Sequence, residues 1–313
     1  MLQPMKTIFN IPDIPASAKV EVRDDKHSMV PKIDPLYVFR KELISDVMAW
    51  IKFACGNDPL YLTGPTGTGK SSIVTQVAAR LGIPLFVVSC HERMEIPELF
   101  GRHVVSEGSM LWKDGPLVTA LKTPGAWCLL DEVDTLDPGT FIGLNAILEG
   151  RSITIPETGE ILDPYACGSR IIVAGNTAGN GDSSGLYLST KRQNLASIGR
   201  FMVVEVGYPE PSVEMDILVQ AVPLMPQDVR ARMIAITNDI RNLFVNGGLE
   251  ITMCTRSLVR WANLATFFKS KPGIDPITYS LDRAIGYRAE PASRQALHEL
   301  CQRHFGGGPN GRP

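Results

Sequence analysis

Apolar residues along this chain fall into two kinds of run. Five runs are short, β-branched and apolar at successive positions: 60–63, 84–89, 126–132, 170–176 and 201–206. Strands of a parallel sheet covered by helices on both faces read this way. The segments between the runs are long enough for crossover helices, so the pattern predicts an α/β fold on a five-stranded parallel sheet, with a ligand at the carboxyl edge of the strands. Other runs repeat at helical spacing. Residues 40–54 place Leu43, Ile44, Val47, Met48 and Ile51 on one face and stop at Gly56-Asn57. Ile73, Val74, Val77, Ala78 and Leu81 mark a second helix directly after the first strand. Beyond Pro211 only helical runs remain, at 212–222, 227–246, 254–270 and 291–305, separated by the joints VPLMPQD, NGGLE and SKPGIDP. The expected organisation is an N-terminal arm or edge element (1–33), an α/β core (34–210), a small all-α lid (211–305) and a flexible tail (306–313).

Between the first strand and its helix lies Gly64-Pro65-Thr66-Gly67-Thr68-Gly69-Lys70-Ser71, followed by Ser72. This is G-x-x-x-x-G-K-[ST] in the strand-to-helix context that a phosphate-binding loop requires. Gly64, Gly67 and Gly69 let the backbone curl until its N–H groups face phosphate oxygens, and the helix N-terminus adds partial positive charge. Lys70 reaches the β- and γ-phosphates, and the Ser71 hydroxyl ligates Mg²⁺. The third strand ends in Asp131 and Glu132, in WCLLDEVD. Asp131 reads as the second Mg²⁺-holding oxygen group and Glu132 as the general base for the attacking water. Such an acidic pair standing alone would be a solvated strand end; behind a phosphate loop it reads as chemistry. Asn176 ends the fourth strand, where an amide would sit between water and γ-phosphate, the competing reading being a turn cap. Arg200 precedes the fifth strand and suits an arginine finger completing a neighbour's site, while Arg256 opens a lid helix and would reach the γ-phosphate. Taken singly, each arginine reads as a surface ion-pair residue. Tyr37 to Phe39, ahead of the loop, are expected near the nucleotide base.

Composition narrows the classes. The 313 residues carry a net charge of −2, and with a pI near 6.2 nothing draws the chain broadly to nucleic acid or anionic membrane. No apolar run approaches a membrane span, and the first twenty residues lack a charged stretch leading into an apolar core, so a cytoplasmic protein is expected. The 6 cysteines form no C-x-x-C pair, which points to reduced, mostly buried thiols. His91 next to Cys90 would face the opposite side of a strand, so the two are not read as a metal pair. ATP and Mg²⁺ are the cofactors implied.

Several segments together resemble one family. PELFGR (97–102), KDGPLVTAL (113–121), DEVDTLDPGTFIGLNAILEGRSITI (131–155), AGNTAGNGDSSGLY (174–187) and GRFMVVEVGYP (199–209) are similar to the MoxR group of AAA+ ATPases. Within it, VPKIDPLYVFRKE, the GDSSGLY turn and FVNGGLEITMCTRSLVRWA (244–262) are most like the ATPase subunits of aerobic cobaltochelatases. The likeness spans about residues 28–306. It implies an AAA+ core with a helical lid, and a ring, hexameric in this group, with ATP between subunits. Asn176 would be sensor 1, Arg200 would act in trans, and Arg256 in cis as sensor 2. It further implies an extra element within 93–112 and a hairpin at 151–162, both of the kind that meets a client or partner. The alternation in RSITIPETGEIL supports that hairpin independently. The partner implied is a protein with a von Willebrand A domain, joined in the chelatases by a large porphyrin-binding subunit. Four functions stay open: a chelatase motor, a remodelling ATPase with another client, a nucleotide-dependent switch, and a nucleic-acid motor. The last lacks a basic patch.

Overall fold

The computed structural model describes residues 1–24, 27–53, 58–106, 108–182 and 189–306. Cys55, the helix stop at Gly56-Asn57, most of the GDSSGLY turn and the tail beyond Gly306 lie outside the described residues. The chain forms two compact units: Met1–Pro35, Phe39–Pro65 and Gly69–Gly207 make one, and Leu36–Val38, Thr66–Thr68 and Tyr208–Pro313 the other.

The first residues, expected as an arm or edge element, are a packed part of the first unit. Strand β1 (Leu2–Pro4) pairs antiparallel with β2 (Lys19–Glu21) around helix α1 (Met5–Phe9). Met5, Phe9, Ile11, Ile14 and Val20 are buried there. Met5 and Phe9 share the single turn of α1, Ile11 and Ile14 follow it and Val20 lies in β2, so no periodicity runs long enough to announce the element. Phe39, expected near a nucleotide base, is buried instead, edge-on to Phe9 with the Arg80 guanidinium over its ring.

Helix α2 (Lys41–Phe53) follows, its last turn held by Arg170, which donates to the carbonyls of Trp50 and Ile51. Then come β3 (Leu60–Thr63), α3 (Lys70–Leu81) and β4 (Leu85–Ser89). A first excursion consists of α4 (Ile96–Phe100) and the hairpin β5 (Gly101–Ser106) and β6 (Ser109–Asp114), which starts inside the expected insertion and slightly overruns its end. Helix α5 (Pro116–Lys122) leads to β7 (Trp127–Asp131), a 3-10 turn (Val133–Thr135), α6 (Pro138–Gly143) and α7 (Asn145–Leu148). A second hairpin, β8 (Ile153–Thr154) with β9 (Ile161–Leu162), lies inside the expected span. Then follow β10 (Arg170–Gly175), α8 (Leu195–Ile198) and β11 (Met202–Glu205).

The five expected strands form one parallel sheet in the order β11-β3-β10-β7-β4. All four residues of β3 are buried, because helices cover both of its faces. Thr63 stands beside Gly175 and Ser89 beside Asp131, so the loop after β3 and the ends of β7 and β10 share one sheet edge. The hairpins leave the same unit and carry exposed Val105, Met110 and Ile161. Lys122 bridges them, its ammonium 2.7 Å from Asp114 at the end of β6 and 2.7 Å from Glu160 ahead of β9.

The second unit is helical: α9 (Pro211–Ala221), α10 (Gln227–Val245), α11 (Thr255–Phe268), α12 (Pro276–Ala284) and α13 (Pro291–Phe305). Its core surrounds Trp261, whose indole N–H reaches the Ile277 carbonyl at 2.9 Å. A buried pair joins Arg241 to both carboxylate oxygens of Glu214, at 2.7 and 2.9 Å. Helix α12 was not among the expected elements, because the Pro of GIDP reads as a breaker. Here Asp275 is the N-cap, accepting from the Ile277 and Thr278 amides, and Pro276 takes the first helical position, where its missing N–H costs nothing.

Candidate nucleotide site

The loop after β3 turns through residues that only glycine tolerates. Gly64 has φ +137°, and a Cβ there would come within 2.4 Å of the Val206 carbonyl oxygen. Gly69, at φ +94°, turns the chain into α3 so that Lys70 is the first helical residue. The Lys70 ammonium then folds back across the loop. It donates to the carbonyls of Gly64 at 2.7 Å and Pro65 at 3.0 Å, and to the Asn176 side-chain oxygen at 2.9 Å. Burial drives its pKa down to about 8, against the opposing pull of Asp134, Asp131 and Glu132.

One residue further, the Ser71 hydroxyl donates to Asp131 Oδ2 at 2.6 Å. The hydroxyl and carboxylate at this spacing form an oxygen pair of the type Mg²⁺ takes from a protein while keeping waters and phosphate oxygens as its remaining ligands. The donor set fits a magnesium-bound triphosphate: an ammonium, a row of loop amides, and two hard oxygen groups. Glu132 leaves the strand in the left-handed region at φ 57° and is exposed, an unusual conformation for a residue with a Cβ. Asp131 Oδ1 accepts the Glu132 amide at 3.1 Å, which fixes the backbone where the acid departs. Of the residues read from sequence, Lys70, Ser71, Asp131 and Asn176 are therefore joined directly or through the adjacent loop. Glu132 stands beside them.

Asn176 is placed by a residue that the motif reading passed over. Asp134 Oδ2 accepts the Asn176 amide at 2.6 Å, the Thr177 amide at 3.0 Å and the Thr177 hydroxyl at 3.1 Å. Asp134 is fully buried, its Oδ1 has no hydrogen-bond partner among the described residues, and the Tyr61 hydroxyl lies close by. A Cβ on Gly175 would come within 2.6 Å of that hydroxyl and 3.0 Å of Asp134 Cγ, so glycine is required between them. Burial, with Asp134 adding to it, raises the Tyr61 pKa and keeps its hydroxyl neutral. The available signal was the third acid of Asp-Glu-Val-Asp, which the 3-10 turn swings back toward β10.

Asp134→Ala leaves two amides and a hydroxyl without their acceptor, at about 1–3 kcal/mol for each buried group. Thermal melting of the variant is expected several degrees below wild type, with Asp134→Asn falling between, since the amide oxygen still accepts. Equal melting of all three would remove Asp134 from this role.

Arg200 takes no part in the Lys70 cluster. Its Nε donates to Glu149 Oε1 at 2.6 Å, its Nη2 donates to the same oxygen, and its Nη1 donates to the Ala196 carbonyl. Arg151 also contacts Glu149. Arg200's hydrogen bonds, helped by Arg151, hold the Glu149 carboxyl below the usual carboxylate range. Glu149 is the second residue that the sequence reading missed. It lies 51 positions from Arg200, and an acid before Gly-Arg at a helix end carries no local mark. Arg256 is exposed on the first turn of α11, and its side chain makes no hydrogen bond or ion pair among the described residues.

Comparison with known proteins agrees with this geometry. The profile of the AAA domain (dynein-related subfamily) matches residues 59–192, and that of the CbbQ/NirQ/NorQ C-terminal matches residues 214–304. Protein NorQ of Paracoccus denitrificans (strain Pd 1222) is 34% identical over 269 residues, covering 83% of this chain and 92% of NorQ. The aerobic cobaltochelatase subunit CobS of Sinorhizobium sp. is 27% identical, covering 96% of this chain and 93% of CobS. Protein CbbQ of Hydrogenophilus thermoluteolus is 32% identical, covering 79% of this chain and 87% of CbbQ.

Proposed function

This chain belongs to the MoxR-like AAA+ ATPases that carry a CbbQ/NirQ/NorQ-type C-terminal part, and on that premise we propose that it is the motor of a ring which hydrolyses ATP to remodel a partner protein. The observation that carries this reading is the Lys70–Asn176 and Ser71–Asp131 pairing at one sheet edge, with Glu132 beside it. Loop amides from Gly64 to Ser72 and the Lys70 ammonium bind the triphosphate. Ser71 and Asp131 are the residues that would hold Mg²⁺, which neutralises charge on the phosphates when bound. Glu132 takes the proton of the attacking water, Asn176 orients that water, and Arg256 serves as sensor 2. Arg200, committed to Glu149 rather than to its own subunit's cluster, acts on the neighbour's nucleotide. A hexamer is the ring we favour, in the cytoplasm.

The client divides the relatives. The alignment with the cobaltochelatase subunit over 96% of the chain supports a chelatase motor, working with a von Willebrand A-domain partner and a tetrapyrrole-binding subunit. The C-terminal match and the higher identity to NorQ support the second reading, a remodeller with its own von Willebrand A-domain partner and another client. Purification of the tagged chain with ATP and Mg²⁺, followed by identification of what co-elutes, separates them. A tetrapyrrole-binding subunit is expected under the first reading. A von Willebrand A-domain protein alone retires it.

Arg200→Ala subunits are expected to bind ATP normally and to hydrolyse it poorly. Mixed with Lys70→Ala subunits, they recover turnover at the interfaces where an intact finger meets an intact loop, about a quarter of the total in random rings. No recovery, with mixed rings present, would place Arg200 outside the trans role.

A further inference from the structure

An arginine finger works only if its guanidinium presents a free fork to the phosphate. A guanidinium has five N–H donors in a rigid plane. In Arg200 three are engaged within the subunit: Nε and Nη2 on Glu149 Oε1, and Nη1 on the Ala196 carbonyl, one helical turn back. One N–H remains on each terminal nitrogen. Those two can form the bidentate pair that arginine makes with phosphate oxygens. The side chain is 21% exposed, against 26% for Glu149, so the plane is clamped while part of it stays accessible. Free in solvent, the same side chain would sample many rotamers, and fixing one on each catalytic cycle would cost turnover.

We infer that Glu149 is a positioning residue for Arg200: together with the Ala196 carbonyl it splints the guanidinium so that its remaining N–H pair faces outward toward the neighbouring subunit's nucleotide. This rests on the trans reading of Arg200. It adds that the acid acts solely through the finger and so belongs to the face donated to the neighbour, not to the subunit's own nucleotide site. Glu149 also meets Arg151, which leads directly into the β8–β9 hairpin. A displacement of that hairpin would therefore pull on the same carboxylate that aligns the finger.

Mixed-ring complementation tests the assignment. Glu149→Ala is expected to lower turnover by about 10–100-fold with little change in ATP affinity, as for a misplaced catalytic group. Its rings should regain activity with Lys70→Ala subunits and gain none with Arg200→Ala subunits, because both defects lie on the same donated face. The double variant Glu149→Ala/Arg200→Ala should be no slower than Arg200→Ala alone. Recovery in the Glu149→Ala with Arg200→Ala mixture would put Glu149 in its own subunit's site and overturn the inference. Wild-type turnover of Glu149→Ala, or failure of its mixture with Lys70→Ala while mixed rings form, would overturn it as well. If Glu149→Ala does not assemble, Glu149→Gln, which keeps the shape and one acceptor, goes through the same mixtures. Loss of complementation between Lys70→Ala and Arg200→Ala, by contrast, identifies the finger reading as the part that fails.

Discussion

Lys70→Ala is expected to weaken ATP binding by about 100–10,000-fold and so to stop hydrolysis at ordinary nucleotide concentrations. The ammonium now holds two loop carbonyls and the Asn176 oxygen, and a bound triphosphate would replace these with charged phosphate oxygens. Charge-assisted hydrogen bonds contribute about 1.5–3 kcal/mol each, and losing two of them corresponds to that drop in affinity. A pH signature accompanies it. Burial lowers the Lys70 pKa to about 8, so the nucleotide-free lysine is charged below that pH and loses its proton as pH rises through it. ATP affinity of the wild-type protein should therefore fall between neutral and mildly alkaline pH, with a proton taken up on binding. The alanine variant, having no such group, should show a flat profile across the same window. Calorimetric titration at several pH values reads both effects. Tight binding by the alanine variant would remove Lys70 from the site.

Glu132→Gln should leave ATP affinity nearly unchanged and cut turnover by about 100–10,000-fold, the range for loss of a general base. Glutamine keeps the shape and can still hydrogen-bond a water, but it cannot take the water's proton. The conformation should survive the change, because the amide that fixes this residue is held by Asp131, not by the Glu132 carboxylate. ATP should then persist on the variant, and quenched-flow or steady-state assays would show binding without phosphate release. Wild-type turnover by Glu132→Gln would assign the base elsewhere.

How far the sequence discloses this molecule depends on the range of each interaction. The five strands are legible because continuous apolar runs are a local property, and the phosphate loop is legible because its glycines, lysine and serine answer to one ligand over eight positions. The packed β1–α1–β2 element is not, since its buried residues are few and its helix and strands are each too short to show a period. Helix α12 was hidden by an Asp-Pro start that also reads as a break. Asp134 and Glu149 escaped for another reason. Their partners lie 42 and 51 positions away, and the one local mark is the place of Asp134 as the last acid of Asp-Glu-Val-Asp. The phosphate-loop pattern is written locally; the acids that hold Asn176 and Arg200 are brought to them by the fold.

The most direct measurement is ATP turnover per chain as a function of protein concentration, with sedimentation following assembly in the same samples. If Arg200 completes the neighbour's site, turnover per chain is low while the protein is monomeric and rises in step with ring formation. Turnover that stays constant from monomer to ring would contradict a shared site and with it the proposed motor.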